Sequence, residues 1–133
     1  MFAHPACPCT NASLRNLAEL SSTLSPDVET TIIFVTRGLD PALIATAPNV
    51  LAARLIPRIS LVFDDGSEVD RFGAKVSGEV FAFNDAGERI YRGGLTSARG
   101  HAGDSEGRRQ LKRAFGGEAR APFEAHVFGC RLP

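Results

Sequence analysis

A six-residue run at positions 30–35 most narrowly limits the folds open to this chain. Its sequence, TTIIFV, is rich in β-branched and apolar residues and predicts a buried strand. Residues 11–24 precede it with leucines at helical spacing, and a second apolar run at 59–63 follows after a helical stretch. Helix and strand therefore alternate, which is typical of an α/β fold.

Shorter elements complete the predicted order. We expect one or two short helices broken near Pro48, a short helix ending at Gly73, a hairpin and a last helix, over residues 41–55, 67–72, 80–91 and 104–115 respectively. Asp104 is the expected N-cap of the last helix. An antiparallel hairpin beside alternating helices and strands predicts a mixed sheet with helices on both faces.

Size and charge exclude several classes of protein. The 133 residues form one domain, 1–133, and 15 basic residues balance 15 acidic ones. A nucleic-acid binder would carry a basic excess, and the basic run at 108–113 is interpreted as a solvated helix face. No apolar run reaches the ~18 residues that a membrane span needs. Three cysteines are too few for a disulfide scaffold.

The most reactive segment is Cys7-Pro8-Cys9, where the first helix begins. Proline favours the first helical position, so Cys7 is the expected N-cap and Cys9 the expected first-turn residue. Free backbone N–H groups and the helix dipole lower a thiol pKa at such a place, and the thiolate is the nucleophile of disulfide exchange. His4 could add positive charge when protonated. The alternatives are that the cysteines are small buried apolar residues or metal ligands.

Two further residues are candidates for the site. Cys130 is either a resolving thiol or a tail cysteine without a role. His101 is either an acid, base or ligand beside the thiols or a loop histidine bonded to backbone, and we favour the second interpretation.

Four blocks of sequence resemble the thioredoxin-like superfamily, and within it the bacterial RedB-type branch with a Cys-Pro-Cys motif. They lie in the expected order at residues 2–10, 71–78, 93–104 and 127–130. The resemblance implies a thioredoxin-like mixed sheet flanked by helices. It also implies oxidising surroundings, because members are often exported or membrane-anchored. This chain shows no export signal, so its compartment is left open.

The resemblance implies thiol–disulfide oxidoreductase activity on a protein partner, without a cofactor. Cys7 would attack, Cys9 or Cys130 would resolve, and the supporting residues would be His4, Pro8, Ser77, Gly78 and His101. A second hypothesis is a copper-chaperone-like assembly factor that holds Cu(I) with Cys7, Cys9 and His101, since soft thiolates suit this ion. A third is a redox-inactive domain that only binds a partner.

The sequence departs from the thioredoxin pattern at two places. Ser77-Gly78-Glu79 stands where the family has a cis-proline beside the active site, which puts general reductase activity in doubt. A Cys7–Cys9 disulfide would close a small strained ring, and strain makes a disulfide easily reduced.

The central strand that leads into the motif is also short. Only Met1, Phe2 and Ala3 precede His4, so we expect a truncated stub strand or a start codon assigned too late. At the other end, the apolar residues between Phe123 and Phe128 could dock the tail across the sheet. The sequence therefore predicts that Cys130 lies near Cys7 and Cys9 and can be oxidised to one of them.

Overall fold

The computed structural model describes residues 1–118 and 122–133 and shows a mixed α/β fold of two small sheets flanked by helices. Its elements are β1 Phe2–Ala3, α1 Thr10–Thr23, β2 Thr30–Val35, α2 Pro41–Thr46, α3 Pro48–Arg54, β3 Ile59–Asp64, α4 Ser67–Phe72, β4 Val80–Phe83, β5 Arg89–Gly93, α5 Glu106–Phe115 and β6 Phe123–Glu124. The predicted order of elements is confirmed, including the break at Pro48. Strand β6 was not predicted.

The two sheets meet at β1. In the first sheet β1, β2 and β3 are parallel in that order, and Phe2 lies opposite Ile33. In the second, β4 is antiparallel to β5, and β5 is parallel to β6. The Phe2 N–H donates to the Glu79 carbonyl at 2.8 Å, and the Gly78 N–H donates to the Phe2 carbonyl at 2.8 Å. Strand β1 therefore bridges β2 and the segment that enters β4.

Strand β1 is the stub that the sequence predicted. Phe2 and Ala3 are 2 % and 0 % exposed, so both residues are buried between the neighbouring strands. The Met1 amino group donates to the Thr31 carbonyl at 2.8 Å, and burial lowers its pKa to about 5. The stub fixes the start of the segment that leads, after three residues, to Cys7.

The core occupies both faces of β2, because successive strand residues point to opposite sides. On one face Ile32 and Phe34 pack against the leucine stripe of α1 and against Tyr91. On the other face lies a smaller cluster made by Phe2, Val35, Val69, Ala74 and Leu132. The second cluster anchors the C-terminal tail, which carries Cys130.

The start of the last helix differs by one residue from its prediction. Ser105, not Asp104, is the N-cap of α5, and its hydroxyl accepts the Arg108 N–H at 3.2 Å. Asp104 instead pairs with Arg109 on the surface. The serine hydroxyl also donates to the Leu95 carbonyl at 2.7 Å, which fixes the helix start to the segment that follows β5. Within the described residues, every helix is too short or too polar to cross a bilayer.

Candidate functional site

The fold brings all three cysteines together. The sulfur atoms of Cys7, Cys9 and Cys130 all lie within 4.8 Å of one another, as free thiols. Cys7 is 2 % exposed, and the other two are half-buried. The predicted placement of Cys130 beside Cys7 and Cys9 is confirmed, whereas its oxidation to one of them remains a prediction.

Cys7 lies in a turn before helix α1 rather than at its N-cap, so that prediction is wrong. Helix α1 begins at Thr10 with Cys9 as its N-cap, and Pro8 sits in the turn between the two cysteines. The physical reason is that the Thr10 N–H donates to the Cys7 carbonyl at 3.1 Å and the Cys7 N–H donates to the His4 carbonyl at 3.3 Å. These bonds close two successive turns and keep Cys7 outside the helix.

A buried side chain from α3 holds this turn in place. The Asn49 amide donates to the Cys7 carbonyl at 2.8 Å and to the His4 carbonyl at 3.3 Å. Asn49 is 5 % exposed, so these carbonyls have no competing water on that side. Sequence reasoning missed Asn49, because a single asparagine after a helix-starting proline gives no sign of a partner more than forty residues away.

Asn49→Ala is expected to lower the free energy of unfolding by about 1–3 kcal/mol, because two buried carbonyls lose a donor. Urea unfolding measures the loss. Asn11→Ala is the matched control, since Asn11 is exposed on α1. Equal stability of both variants would contradict the assigned role of Asn49.

A chain of hydroxyl groups reaches Cys7 from the loop before β4. The Ser77 hydroxyl accepts the His4 N–H at 2.8 Å and lies 2.6 Å from the Thr10 hydroxyl, which in turn hydrogen-bonds the Cys7 thiol. Because a hydroxyl has a single proton, a Thr10 hydroxyl that donates to Cys7 must accept the Ser77 proton. Ser77, a predicted supporting residue, therefore helps to stabilise a thiolate.

Gly78, the other supporting residue of that loop, is required by the backbone conformation of the loop. Its φ of +97° lies in the left-handed region, and an added Cβ would come 2.7 Å from the Ser13 hydroxyl oxygen. Only glycine fits this close approach to α1 without displacing Ser13.

The C-terminal tail carries Cys130 across the same loop. Val76 and Arg131 form an antiparallel bridge, and the Ser77 N–H donates to the Cys130 carbonyl at 2.8 Å. A Cβ on Gly129 would stand 2.0 Å from the Ser77 carbonyl oxygen, so the tail can approach this closely only with glycine at that position.

The two central thiols have opposite pKa shifts. Burial raises the pKa of Cys7, but hydrogen bonds from the Cys130 thiol, the Thr10 hydroxyl and the N–H groups of Cys130 and Cys9 outweigh it and lower the pKa to about 7. The hydrogen bond to Cys7 raises the pKa of Cys130 to about 11, with burial and the Cys7 charge acting in the same direction and Arg99 opposing them. Cys7 is therefore the thiolate of the pair and Cys130 its proton-bearing donor.

Alkylation of Cys7 against pH is expected to show a midpoint near 7, below the ~8.5 of a free thiol. Cys130→Ala removes one donor to the thiolate and is expected to raise that midpoint. Mass spectrometry of the Cys7 peptide after timed treatment with iodoacetamide measures both values. A midpoint in the native protein at or above that of a free thiol would contradict the assignment of Cys7 as the thiolate.

Of the two candidate histidines, His4 and His101, neither supplies positive charge or a ligand to the cluster. Burial lowers the pKa of His4, and its Nδ1 accepts the Ala6 N–H at 3.1 Å, so the ring is uncharged at neutral pH. This corrects the expectation that His4 adds charge beside Cys7. His101 is exposed, with its Nδ1 2.8 Å from the Arg99 carbonyl oxygen, as expected for a loop histidine. Within the described residues it lies outside the three-thiol group.

The cluster has the dimensions of a soft-metal site. Metal–sulfur bonds of ~2.3 Å place three sulfur ligands about 4 Å apart, close to the spacing of Cys7, Cys9 and Cys130. The three thiols could therefore bind a metal, and Cys130 replaces His101 in the ligand set that the sequence suggested.

Comparison with known proteins supports the fold. No family model and no curated protein matches the sequence significantly. Two crystal structures are similar at a TM-score of 0.76: a hypothetical protein from Sinorhizobium meliloti 1021, at 15 % identity over 98 % of this chain and 75 % of that one, and an uncharacterized conserved protein from Geobacillus kaustophilus, at 17 % identity over 99 % and 74 %. At such identities the likeness extends to the architecture alone.

Proposed function

We propose that the chain is a thioredoxin-like thiol–disulfide oxidoreductase acting on protein partners, with Cys7 and Cys130 as its working pair. The observation that carries the proposal is the approach of the Cys7 and Cys130 sulfur atoms to within 4.8 Å, and a lowered pKa on Cys7 with a raised pKa on Cys130 supports it. The order of elements and the sequence resemblance support the thioredoxin-like assignment.

The reaction begins at the Cys7 thiolate. Its sulfur attacks one sulfur of the partner disulfide, the partner's S–S bond breaks, and a partner thiolate leaves. Cys7 and the partner are then joined by a mixed disulfide. This bond removes the negative charge from Cys7, which had raised the pKa of Cys130. Cys130 therefore loses its proton more easily once the first step is complete.

Cys130 completes the reaction. Its thiolate attacks the Cys7 sulfur, the second partner thiolate leaves, and a Cys7–Cys130 disulfide remains. The partner gains two electrons and the protein loses two. Cys130 suits this step better than Cys9, because a Cys7–Cys9 bond closes a small strained ring, whereas the Cys130 bond closes a long loop.

Mild oxidation tests the proposal. After treatment with oxidised glutathione, blocking of free thiols and proteolysis, peptide mapping is expected to find Cys7 bonded to Cys130 and Cys9 alkylated. Formation of a Cys7–Cys9 bond alone would contradict the assigned pair.

A second candidate function is binding of Cu(I) by Cys7, Cys9 and Cys130, favoured by the closeness of all three sulfur atoms. Metal analysis of protein purified under reducing conditions separates the two functions. Stoichiometric copper that is lost in Cys130→Ser supports the copper site. Protein that stays free of copper during Cu(I) titration argues against it.

A further inference from the structure

The proposed nucleophile is closed off from solvent. Cys7 is 2 % exposed, whereas attack on an external disulfide requires its sulfur to meet the incoming sulfur directly. The Cys130 sulfur lies within 4.8 Å of the Cys7 sulfur, so the C-terminal tail lies against it. The closed structure therefore lets Cys7 meet Cys130 but no bulky partner.

The segment that covers Cys7, residues 127–132, is called the strap here. Two backbone hydrogen bonds fasten it: the Ser77 N–H to the Cys130 carbonyl at 2.8 Å, and the Leu132 N–H to the Lys75 carbonyl at 2.9 Å. The Leu132 side chain, 7 % exposed, packs into the smaller core cluster. The last three residues of the strap form no helix, and the strap pairs with Val76 through a single bridge from Arg131.

We propose that the strap is a displaceable gate that restricts the closed site to small disulfides and admits protein disulfides only when it leaves the Lys75–Ser77 edge. This inference rests on the proposed function. When the strap leaves, the Ser77 N–H and the Lys75 carbonyl become free, and an extended partner chain can pair with them as the strap did.

Small disulfides enter the closed site through Cys130, which is half-buried rather than covered. The Cys130 proton passes to the Cys7 thiolate, the Cys130 sulfur attacks the small disulfide, and the small thiolate that leaves takes up the proton from Cys7. The Cys7 thiolate then attacks the Cys130 sulfur and releases the second one. Two electrons pass to the small disulfide, and the Cys7–Cys130 bond that forms fixes the strap in the closed position.

Gly129→Ala opens the gate at one point. The new Cβ would stand 2.0 Å from the Ser77 carbonyl oxygen, a backbone atom that cannot swing away, so the strap must lift. Gly116→Ala is the matched control, because its Cβ would meet no atom closer than 3.5 Å. Near-ultraviolet circular dichroism establishes that both variants fold.

The first measurement is the alkylation rate of Cys7 across pH. The plateau rate at high pH is compared, because lifting the strap also removes donors from the thiolate and shifts the midpoint. We expect Gly129→Ala to raise the plateau rate roughly tenfold or more, because the closed state loses the stabilisation of about one hydrogen bond. Gly116→Ala is expected to match the native protein. Equal plateaus in all three proteins would overturn the gate.

The second measurement compares two substrates, oxidised glutathione and reducible insulin. Gly129→Ala is expected to speed insulin reduction relative to the native protein. A native protein that forms no Cys7–Cys130 bond with oxidised glutathione contradicts the proposed function. A native protein that forms this bond, with Gly129→Ala reducing insulin no faster, contradicts the gate alone.

If Gly129→Ala does not fold, Leu132→Ala decides the question. It loosens the strap from the core cluster without touching the close contact at Ser77. An increased Cys7 plateau in this variant supports the gate, and an unchanged plateau overturns it.

Discussion

Replacing Cys7 with serine is expected to reduce disulfide exchange to the uncatalysed rate. The thiol with the lowered pKa is lost, and Cys130 no longer has the Cys7 sulfur with which the proposed disulfide forms. Reduction of insulin by the dithiothreitol-recycled protein, followed by turbidity, measures the loss.

Cys9→Ser is the matched control for this prediction. Cys9 lies at the same cluster and is half-buried, but the resolving step assigned to Cys130 does not use it. We expect this variant to keep most of the native rate. Loss of activity in Cys9→Ser with little loss in Cys7→Ser would reverse the assigned roles of these two residues.

Glu79→Ala is expected to have the largest effect on stability. The Glu79 side chain is 6 % exposed, and its carboxylate binds the Arg92 guanidinium at 2.8 Å and the Lys75 N–H at 2.8 Å. Its removal leaves the Arg92 guanidinium bonded to the Gly73 carbonyl but without its carboxylate partner, and it frees the Lys75 N–H in the loop that carries Ser77. Breaking one partner of a buried ion pair costs about 3 kcal/mol or more in the free energy of unfolding.

Urea unfolding measures this loss against Glu118→Ala. Glu118 also binds an arginine, Arg113, at 2.8 Å, but both side chains are more than half exposed, so its loss is worth less than about 1 kcal/mol. Similar destabilisation by both substitutions would show that the burial of Glu79 adds nothing to the free energy of unfolding.

The elements of the fold could be predicted from the sequence because their signals are local. The β-branched run of β2, the prolines that begin α2 and α3, and the glycine that ends α4 all act within a few residues. The stub β1 was predictable from its position before the motif. Strand β6 was not, because two residues that pair with β5 carry no periodic pattern.

The site was predictable only in part, because its geometry depends on contacts between distant segments. The apolar tail indicated that Cys130 approaches Cys7, and the structure agrees. Helix α1 lies within one residue of its predicted range, but Cys7 was wrongly expected to be its N-cap, since the bond from the Thr10 N–H to the Cys7 carbonyl closes a turn that proline statistics do not reveal. The contacts of Asn49 and of the Ser77–Thr10 hydroxyl pair could not be predicted, because they join residues that lie far apart in the sequence.

The hydrogen bond between Cys7 and Cys130 joins the two ends of the described chain, so thiol chemistry here depends on the native state. In the unfolded chain the donors are dispersed, and Cys7 returns to the ordinary thiol value of ~8.5, which leaves only a few per cent thiolate at pH 7. In the native protein about half of it is ionised. A misfolded or half-degraded copy therefore carries Cys7 mainly as the neutral thiol, which is not the attacking species in disulfide exchange.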